Sequence, residues 1–240
     1  MTYPTQPHSM SVMVLAAGHG KRMLPLTQDC PKPLLKVATK SLLDHHLEHL
    51  EKAGFRHIVV NVAYLGEQII DHLKQRQSHY QHLGLKITVS DEQTTGALET
   101  AGGIVNALPL IESDPFMVIN ADIWHNTDLA SFALRASDAL NQSKAYLGLV
   151  DNPSHNTAGD FYLTDNGLVS PTDGQKFTFS GIGVYSKAFF AGVPNGAQAL
   201  APILRKQIEL NAVTAEKLDA DWFDIGTPQR LSELEEWLAR

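Results

Sequence analysis

Strand-like and helix-like segments alternate along the first 150 residues of the chain, and this alternation limits the fold more than any other feature. Short apolar or β-branched runs predict buried strands at residues 11–16, 57–62, 85–90 and 116–120. Helical spacing of apolar residues predicts helices at residues 41–54, 66–76, 99–108 and 128–140. Such alternation implies parallel strands joined by right-handed helical crossovers. We therefore expect an α/β fold of Rossmann-like type, with a mostly parallel central sheet and helices on both faces.

The pattern changes beyond residue 150. Residues 159–170 and 176–186 have the pattern of paired strands around a turn at Asn166-Gly167. The remaining predicted elements are a helix near 199–210, a strand near 213–218, the short strand WFDI and a last helix from Pro228. This change of pattern predicts a smaller β-rich part packed beside the α/β part.

The length of 240 residues suits one domain, which we expect to cover residues 11–240. The opening MTYPTQPHSM is polar and contains two prolines. It lacks the positive segment followed by an apolar segment that is typical of export signals. We therefore expect residues 1–10 to form a disordered leader.

The charge balance excludes several classes of partner. Lysine and arginine number 19 against 26 acidic residues, which gives a formal net charge of −7. A broad basic surface for nucleic acid or anionic membrane is therefore not expected. Cys30 is the single cysteine, so no intrachain disulfide can form, and a reducing, cytoplasmic setting is indicated. We expect no nucleic-acid or membrane partner, and a monomer or weak homodimer.

The stretch LAAGHGKRMLPLT, residues 15–27, follows the first predicted strand, where a ligand loop belongs in such sheets. It fails as a dinucleotide fingerprint because Met23 occupies the position of the third glycine. It fails as a P-loop because Leu15 and Arg22 occupy the positions of the first glycine and of the Ser or Thr. Its glycines still let backbone amides approach an anion closely.

Cations are concentrated just after these glycines. Residues 21–36 contain four positive side chains and one negative side chain, which give a local charge of +3: Lys21, Arg22, Lys32 and Lys36 against Asp29. A cluster of this kind can hold a polyphosphate inside an acidic protein. Solvated cations on an ordinary strand-to-loop turn are the alternative.

Two aspartates are expected at strand ends, where this architecture gathers ligands. Asp122 follows the predicted strand FMVIN, and Asp224 ends the short strand before the last predicted helix. Together they suit Mg²⁺, which prefers one or two carboxylates, some waters and substrate phosphates. Capping or turn roles are the alternative for each. His45 and His49 are four residues apart on a predicted helix, but no third ligand is evident, so a zinc site is disfavoured.

The full segment LAAGHGKRMLPLTQDCPKPLLKV resembles the signature of the sugar nucleotidyltransferases, which make nucleotide-sugars from a nucleoside triphosphate and a sugar 1-phosphate. Their pattern is roughly L-A-A-G-x-G-x-R-x-x-P-L-T followed by P-K-P-L. The chain matches it at Gly18, Gly20, Arg22, Pro25, Leu26, Thr27, Pro31, Lys32, Pro33 and Leu34. It departs from it at Leu24, where the family often has a second arginine.

The resemblance implies a GT-A-like fold with a β-rich sugar-binding lid and an in-line displacement at the α-phosphorus of the triphosphate. It implies that Arg22 contacts the β- and γ-phosphates, and that Lys32 contacts the α-phosphate and the attacking phosphate. It also implies that Asp122 and Asp224 hold Mg²⁺, because both match the positions of the family's two metal-binding aspartates.

Later segments narrow the resemblance. The stretches DEQTTGALETAGGI, DNPSHNTAGDFYL and TFSGIGVY are most similar to the bacterial uridylyltransferases of peptidoglycan recycling, whose substrates are UTP and N-acetylmuramate 1-phosphate. This similarity covers about residues 11–238. It implies a nucleotide-binding part at about 11–125 and a sugar-binding part at about 126–240. The residues implied to face the nucleotide are Leu15, Ala16, Ala17, Gly18, Gly20, Lys21, Glu92, Thr100 and Gly102. The residues implied to lie toward the sugar are Glu99, Asn120, Asn152, Asp160, Ser180 and Gly181.

Two points about the sugar side stay open. Muramate carries a lactyl carboxylate, so a cation beside the sugar would support this branch, and Lys176 and Arg205 are the candidates. Ordinary hydrogen bonding at strand ends is the alternative for Asp160 and Ser180.

The stretch before Glu99 is longer than usual in the family, which makes the role of Glu92 harder to assign.

Other functions remain to be weighed. A mannose 1-phosphate guanylyltransferase, or another sugar-1-phosphate nucleotidyltransferase, would share the signature. A nucleotide-sugar sensor without catalysis would be expected to have lost Arg22, Lys32 or one of the two aspartates, and all four are present. A nicotinamide-dependent oxidoreductase is disfavoured by Met23.

Overall fold

The computed structural model describes residues 9–94, 96 and 98–240, so most of the predicted leader lies outside the described residues. The strands are β1 (Val12–Leu15), β2 (Lys36–Val37), β3 (Lys40–Ser41), β4 (His57–Val62), β5 (Lys86–Asp91), β6 (Phe116–Asn120), β7 (Ile123–His125), β8 (Ala145–Val150), β9 (Phe161–Leu163), β10 (Val169–Ser170), β11 (Gln175–Tyr185), β12 (Val213–Lys217) and β13 (Trp222–Asp224). The α-helices are α1 (Leu42–Lys52), α2 (Gly66–Gln75), α3 (Gln77–His82), α4 (Glu99–Ala107), α5 (Leu129–Ala139), α6 (Leu200–Glu209) and α7 (Pro228–Leu238).

The central sheet places β1 between two parallel partners. Its order is β10-β9-β11-β6-β1-β4-β5, and β8 joins it through β11 while β12 joins through β8. β4 and β6 both run parallel to β1, and at its carboxyl end Leu15 pairs with Asn61 on one side and Asn120 on the other. The chain passes from β1 to β4 and β5 on one side and then crosses to β6 on the other, so this end is the topological switch point, where α/β sheets bind ligands.

Helices cover both faces of the sheet and bury two separate cores. Val12 and Val14 of β1 contribute to a core with α1, α2 and α5, whereas Met13 contributes to a core with α4 and α6. This alternation is that of a strand buried on both faces. The prediction of an α/β fold with a largely parallel central sheet is confirmed.

The β-rich part beyond residue 150 continues the same sheet. β11 pairs antiparallel with β6, β8 and β9, so it joins the central strands to the hairpin of β9 and β10. Its register shifts between Phe179 and Gly183, and Gly181 inside this bulge has a φ of +82°. The predicted turn residue Gly167 lies between β9 and β10 with a φ of +81°, a conformation that favours glycine.

A third apolar cluster joins the glycine-rich segment to the last helix. Met23, Val37 and Leu42 pack there with Ile225 and Leu234. Next to this cluster, β13 pairs antiparallel with β7. Since Asp224 ends β13 and Asp122 immediately precedes β7, the two aspartates predicted to bind metal lie on adjoining segments of backbone.

The structure differs from the sequence predictions at several points. Met10 is 2% exposed and belongs to the first core, so the disordered leader predicted for residues 1–10 cannot extend to it. The helix predicted at 66–76 ends at Gln75, and after Arg76 the chain continues as α3. No strand was predicted at β8, which is buried along its whole length. Among the described residues, no helix is both long and apolar enough to cross a membrane.

Candidate active site

A cavity of about 360 Å³, here called the first cavity, opens at the carboxyl end of β1. Nearly all residues predicted to face a nucleotide line it, namely Leu15, Ala16, Ala17, Gly18, Gly20, Lys21, Glu92 and Thr100. Arg22, Lys32 and Asp122 line it too. Gly102 is not among the lining residues, and a Cβ there would lie 2.1 Å from the carbonyl oxygen of Gly196. Close backbone packing therefore accounts for the glycine at 102, and its contact with a nucleotide stays a prediction.

Contacts inside the protein fix the glycine-rich turn. Gly20 has a left-handed φ of +61°, and its carbonyl oxygen accepts a hydrogen bond of 2.9 Å from the Thr27 hydroxyl. The Tyr64 hydroxyl donates to the carbonyl oxygen of Thr27 at 3.0 Å, and the Tyr64 ring stacks on His19 with centroids 5.2 Å apart. Gly18 is different, because a Cβ at this position would meet no atom within 4 Å. Protein packing thus requires glycine at position 20 but leaves open space beside position 18.

The cations of the first cavity are held in different ways. Lys32 is buried, and its Nζ donates to Oδ2 of Asp122 at 2.7 Å. Lys21 and Arg22 are exposed on a single turn of 3-10 helix, and neither forms an ion pair with another described residue. Lys32 is therefore positioned in advance, whereas the long side chains of Lys21 and Arg22 can move toward an anion.

A buried pair of polar side chains connects the glycine-rich turn to Glu92. The Asn61 amide oxygen accepts from the backbone N–H of Ala16 at 2.8 Å, and the Asn61 amide nitrogen donates to Oε1 of Glu92, also at 2.8 Å. Burial raises the pKa of Glu92 above its usual value, and the hydrogen bond from Asn61 opposes this change. A Cβ at Gly103 would lie 2.8 Å from Oε1 of Glu92, so glycine is needed there to accommodate the pair.

Sequence reasoning missed Asn61, although one signal pointed to it. It is a polar residue near the carboxyl end of the otherwise apolar strand HIVVNV, and ligand-facing residues are expected at that edge of a parallel sheet. What the sequence could not show is that β4 lies directly beside β1, which brings Asn61 opposite Leu15.

A second cavity of about 640 Å³ adjoins the first, because Glu99, Thr100 and Asn120 line both. The remaining walls come from the loop before β9, from β11 and from α6. Of the residues predicted to lie toward the sugar, Glu99, Asn120 and Asp160 line this second cavity. Lys176 and Arg205, the two candidate cations, line it as well.

The other residues predicted on the sugar side shape the walls. Ser180 is fully buried, and its hydroxyl donates to the carbonyl oxygen of Gly148 at 2.7 Å and accepts from the backbone N–H of Ile182 at 3.1 Å. A Cβ at Gly181 would lie 2.8 Å from the amide nitrogen of Asn120, so this glycine leaves room for the Asn120 side chain. The Ser180 hydroxyl is therefore occupied inside the β11 bulge, which is the hydrogen-bonding alternative considered for it.

Asn152 and Asp160 hold the loop that precedes β9. The Asn152 side chain donates to the carbonyl oxygen of Lys176 and accepts from the Thr178 hydroxyl, each at 3.0 Å. The carboxylate of Asp160 accepts from the backbone N–H of Phe179 at 2.8 Å and from the Asn156 amide at 3.0 Å. Asp160 thus lines the second cavity while its charge is already hydrogen-bonded to neutral donors.

Asp224 lines a third cavity, of about 370 Å³, rather than the first. Its Oδ2 accepts from Nη1 of Arg230 at 2.6 Å and lies 3.2 Å from Nε2 of His155. Gly226 separates the two spaces, since it lines the first cavity and a Cβ there would lie 3.0 Å from Oδ1 of Asp224. The structure therefore brings the backbones of the two aspartates together, but it does not place both carboxylates in one cavity.

Comparison with known proteins identifies the family. The sequence profile described as Nucleotidyl transferase matches residues 11–170. The chain belongs to the nucleotidyl transferase family. Among curated members, it is 44% identical to an N-acetylmuramate alpha-1-phosphate uridylyltransferase of Neisseria meningitidis serogroup B, over 93% of this chain and 96% of that protein. It is 33% identical to the protein of the same name from Caulobacter vibrioides, over 90% and 92% of the two chains. The resemblance seen in the glycine-rich segment is thus confirmed.

Solved structures show the same fold. The crystal structure of HddC from Yersinia pseudotuberculosis complexed with GMP-PN superposes with a TM-score of 0.76. The match covers 95% of this chain and 99% of that one, at 23% sequence identity. The whole described architecture, including the β-rich extension, therefore has a counterpart among known folds.

Nucleotidyl transferases generally use a divalent metal ion, and the candidate ligands in this chain are Asp122 and Asp224. No cluster of three His, Cys, Asp or Glu within the described residues could hold an ion as the side chains stand. Two carboxylates on adjoining backbone are nevertheless the donor set that Mg²⁺ uses when substrate phosphates and waters complete its shell. The backbone N–H of Ile225 donates to the carbonyl oxygen of Asp122 at 2.9 Å, which fixes the backbone beside Asp224 against that of Asp122. The residues fit Mg²⁺ together with a phosphate ligand, and not a cage made by protein alone.

Proposed function

We propose that this protein transfers a uridylyl group from UTP to N-acetylmuramic acid 1-phosphate, giving UDP-N-acetylmuramic acid and pyrophosphate. The observation that carries the proposal is the contact between Lys32 and Asp122 in the first cavity, which the glycine-rich turn lines. This cavity adjoins the second cavity, which contains two cations. The names of the relatives at 44% and 33% identity support the choice of base and sugar. We further propose that the reaction belongs to peptidoglycan recycling in the bacterial cytoplasm.

The nucleotide would occupy the first cavity. The small side chains of Ala16 and Ala17 leave room for the base or ribose, and the open space beside Gly18 lets backbone amides approach the phosphates. Glu92, held by Asn61, lies at the wall that would face the nucleoside. Lys21 and Arg22 supply mobile positive charge on the side where a triphosphate would extend.

The chemistry is an in-line displacement between two anions. An oxygen of the sugar phosphate attacks the α-phosphorus, the bond to the bridging oxygen breaks, and pyrophosphate leaves. Two unit charges 4 Å apart repel by about 4 kcal/mol at an effective dielectric constant near 20. Lys32 would offset this repulsion at the α-phosphate and the attacking phosphate, and Arg22 at the β- and γ-phosphates and the departing pyrophosphate. No covalent intermediate on the protein is needed, since positioning and charge supply most phosphoryl-transfer catalysis.

Asp122 and Asp224 would hold Mg²⁺ when substrates bind. The ion supplies charge neutralisation and orientation of the phosphate oxygens. Lys32 holds the Asp122 carboxylate, and Arg230 and His155 hold that of Asp224, so each acid already has a cationic or polar partner. Asp224 would have to turn past Gly226 to share an ion with Asp122, and this rotation is part of the proposal.

A matrix of nucleotides and sugar phosphates tests the proposed function. Pyrophosphate release is measured with UTP, GTP, CTP or dTTP against the 1-phosphates of N-acetylmuramate, N-acetylglucosamine, glucose and mannose, with Mg²⁺ present. We expect turnover with UTP and N-acetylmuramate 1-phosphate to exceed every other combination. Activity confined to GTP and mannose 1-phosphate would replace the proposal with a guanylyltransferase. Tight binding of nucleotide-sugar without turnover of any pair would point to a sensor.

A further inference from the structure

The second cavity contains two cations that have no acidic partner among the residues that the structure describes. Lys176 and Arg205 both line it, and neither forms an ion pair with any other described residue. The Nζ of Lys176 lies 5.2 Å from the ring centroid of Tyr162, a cation–π contact that leaves the positive charge uncompensated. Arg205 makes no hydrogen bond to another described residue.

The acidic residues of the same cavity do not neutralise these charges. Asp160 lines this cavity too, but its carboxylate oxygens accept from the Phe179 N–H and from the Asn156 amide. Glu99 lies at the boundary with the first cavity, which it also lines. The part of the second cavity away from the first therefore presents a net positive charge.

The two cations come from different elements. Lys176 lies on β11, where it pairs with Tyr162 of β9, and Arg205 lies on α6. The next residue along α6, Lys206, is exposed and is not among the lining residues of the cavity. Convergence from two elements distinguishes Lys176 and Arg205 from the solvated cations elsewhere on the surface.

We infer that Arg205, assisted by Lys176, binds the carboxylate of an acidic sugar phosphate and so selects it over the neutral sugar phosphate that lacks this group. This inference rests on the proposed function and concerns its sugar. The phosphate of that substrate has to lie in the first cavity beside Lys32, so its charge is met there. A second anion in the adjoining cavity must therefore come from the sugar itself, and the lactyl group of muramate provides one.

The remaining wall suits the apolar part of such a ligand. Phe161 and Phe179 both line the second cavity and pack edge to face, with ring centroids 6.4 Å apart. Aromatic faces of this kind can receive the apolar face of a sugar ring or a methyl group, while Arg205 can donate two parallel hydrogen bonds to a carboxylate. The chemical class that fits is a hexosamine 1-phosphate bearing an ether-linked carboxylic acid.

The test compares two sugar phosphates that differ in this one group. With saturating UTP and Mg²⁺, kcat and KM are measured for the 1-phosphates of N-acetylmuramate and N-acetylglucosamine. The proteins are the wild type, Arg205→Gln, Arg205→Lys, Lys176→Gln and the control Lys206→Gln. A charge-assisted hydrogen bond contributes roughly 1.5–3 kcal/mol, so we expect Arg205→Gln to lower kcat/KM for the acidic sugar about 10- to 100-fold. This loss should appear as a higher KM for the acidic sugar, and the kinetic constants for the neutral sugar should not change. Arg205→Lys, which keeps the charge, should retain part of the wild-type kcat/KM for the acidic sugar.

Two kinds of failure can be told apart. If wild-type protein prefers the neutral sugar phosphate, the proposed function fails, and the inference fails with it. If the wild type prefers the acidic sugar but Arg205→Gln keeps that preference as fully as the control Lys206→Gln, only the inference is overturned. Because Arg205 is exposed on α6, its substitution should leave the melting temperature unchanged, and calorimetric binding of N-acetylmuramate 1-phosphate gives the same comparison without turnover.

Discussion

At the scale of single residues, the contact between Lys32 and Asp122 gives the first cavity its preorganised charge. Among the described residues, Lys32 is the only buried lysine or arginine, and its Nζ lies 2.7 Å from the Asp122 carboxylate. Fixing a long side chain before the substrate arrives removes an entropic cost from the reaction step. Arg22 lacks such a partner among the described residues and would be ordered by the triphosphate.

We expect Lys32→Ala and Arg22→Ala each to lower kcat/KM by at least about 100-fold, because each removes a charge that offsets phosphate repulsion. Steady-state pyrophosphate release measures the effect. Lys36→Ala is the matched control, since Lys36 is exposed on β2 and lines neither cavity. Near-normal rates in folded Lys32→Ala or Arg22→Ala would rule out the assigned roles.

The two glycines of the turn should respond in opposite ways to the same substitution. Gly18→Ala meets open space, so we expect an unchanged melting temperature but weaker UTP binding, because the new methyl group lies where a ligand would approach. Gly20→Ala has to adopt a left-handed φ of +61° with Thr27 Cγ2 at 3.0 Å, so we expect a loss of stability of about 1–2 kcal/mol. Thermal unfolding and UTP calorimetry separate the two effects. Equal UTP affinity in Gly18→Ala and wild type would place the nucleotide elsewhere.

The residues of the candidate site were predictable where a motif carried them. Arg22, Lys32 and the glycines were recognised because LAAGHGKRMLPLT and PKPL resemble the signature of a known family, and that signature is local in the sequence. Asn61 was not predictable, because its place opposite Leu15 depends on the order of the strands in the sheet. The Ser180 hydroxyl was assigned toward the sugar, whereas the β11 bulge turns it into the sheet.

At the scale of elements, α1 and β7 meet through a cluster of histidines, of which His46 and His125 are buried and His49 is half-buried. The ring centroids of His49 and His125 lie 4.9 Å apart, and those of His46 and His125 lie 5.8 Å apart. Burial lowers the pKa of His46 to about 4 and, together with the neighbouring histidines, lowers the pKa of His125 well below its usual value. No described residue hydrogen-bonds to Nε2 of His46 or Nδ1 of His125, so a proton there would be poorly solvated.

This cluster should make the fold sensitive to acid. The unfolded chain binds protons on these histidines near pH 6.5, whereas folded His46 binds one only near pH 4. The free energy of unfolding is therefore unaffected by these histidines above about pH 6.5. It decreases as the pH falls toward 4, by up to about 3 kcal/mol for His46. Urea unfolding between pH 7.5 and 4.5 measures the loss, which we expect to be smaller in His125→Phe than in wild type. His82→Gln, exposed on α3, is the control, and an equal pH dependence in all three proteins would contradict this account.

Most elements followed from local patterns, and the misses have physical causes. The strands of the parallel core were recognisable because burial on both faces requires continuous apolar runs, as in HIVVNV and FMVIN. The short helix α3 (Gln77–His82) was missed because its residues are polar apart from Tyr80 and so show no apolar periodicity. The position of β12 beside β8 depends on pairing between segments more than 60 residues apart.

At the scale of the whole molecule, one sheet runs through both halves of the chain. β6 belongs to the part predicted to bind nucleotide and β11 to the part predicted to bind sugar, and the two strands pair directly. We therefore expect a single cooperative transition in differential scanning calorimetry, with equal calorimetric and van't Hoff enthalpies. Two resolved transitions would show that a boundary near residue 125 separates independent units.

Substrate binding should stabilise this single unit through the metal site. At 100 times its dissociation constant, a ligand of the folded state adds about 2.7 kcal/mol, which corresponds to a rise in melting temperature of about 5–10 °C for a chain of this size. We expect UTP with Mg²⁺ to give such a rise, and a chelator or Asp122→Asn to remove most of it. Asp71→Asn, an exposed acid on α2, should keep the full rise. An undiminished rise in Asp122→Asn would show that Asp122 does not bind the ion.

The sequence by itself determined the α/β class, the glycine-rich turn with its cations and the two aspartates at strand ends, because each depends on local spacing. Only the tertiary structure decided which polar residues meet at the end of β1, which cations reach the second cavity, and that Asp224 lies across Gly226 from Asp122. The reason is physical: strand order and a bulge in β11 bring together residues that are far apart in the chain, and their side-chain directions depend on packing that no single segment contains.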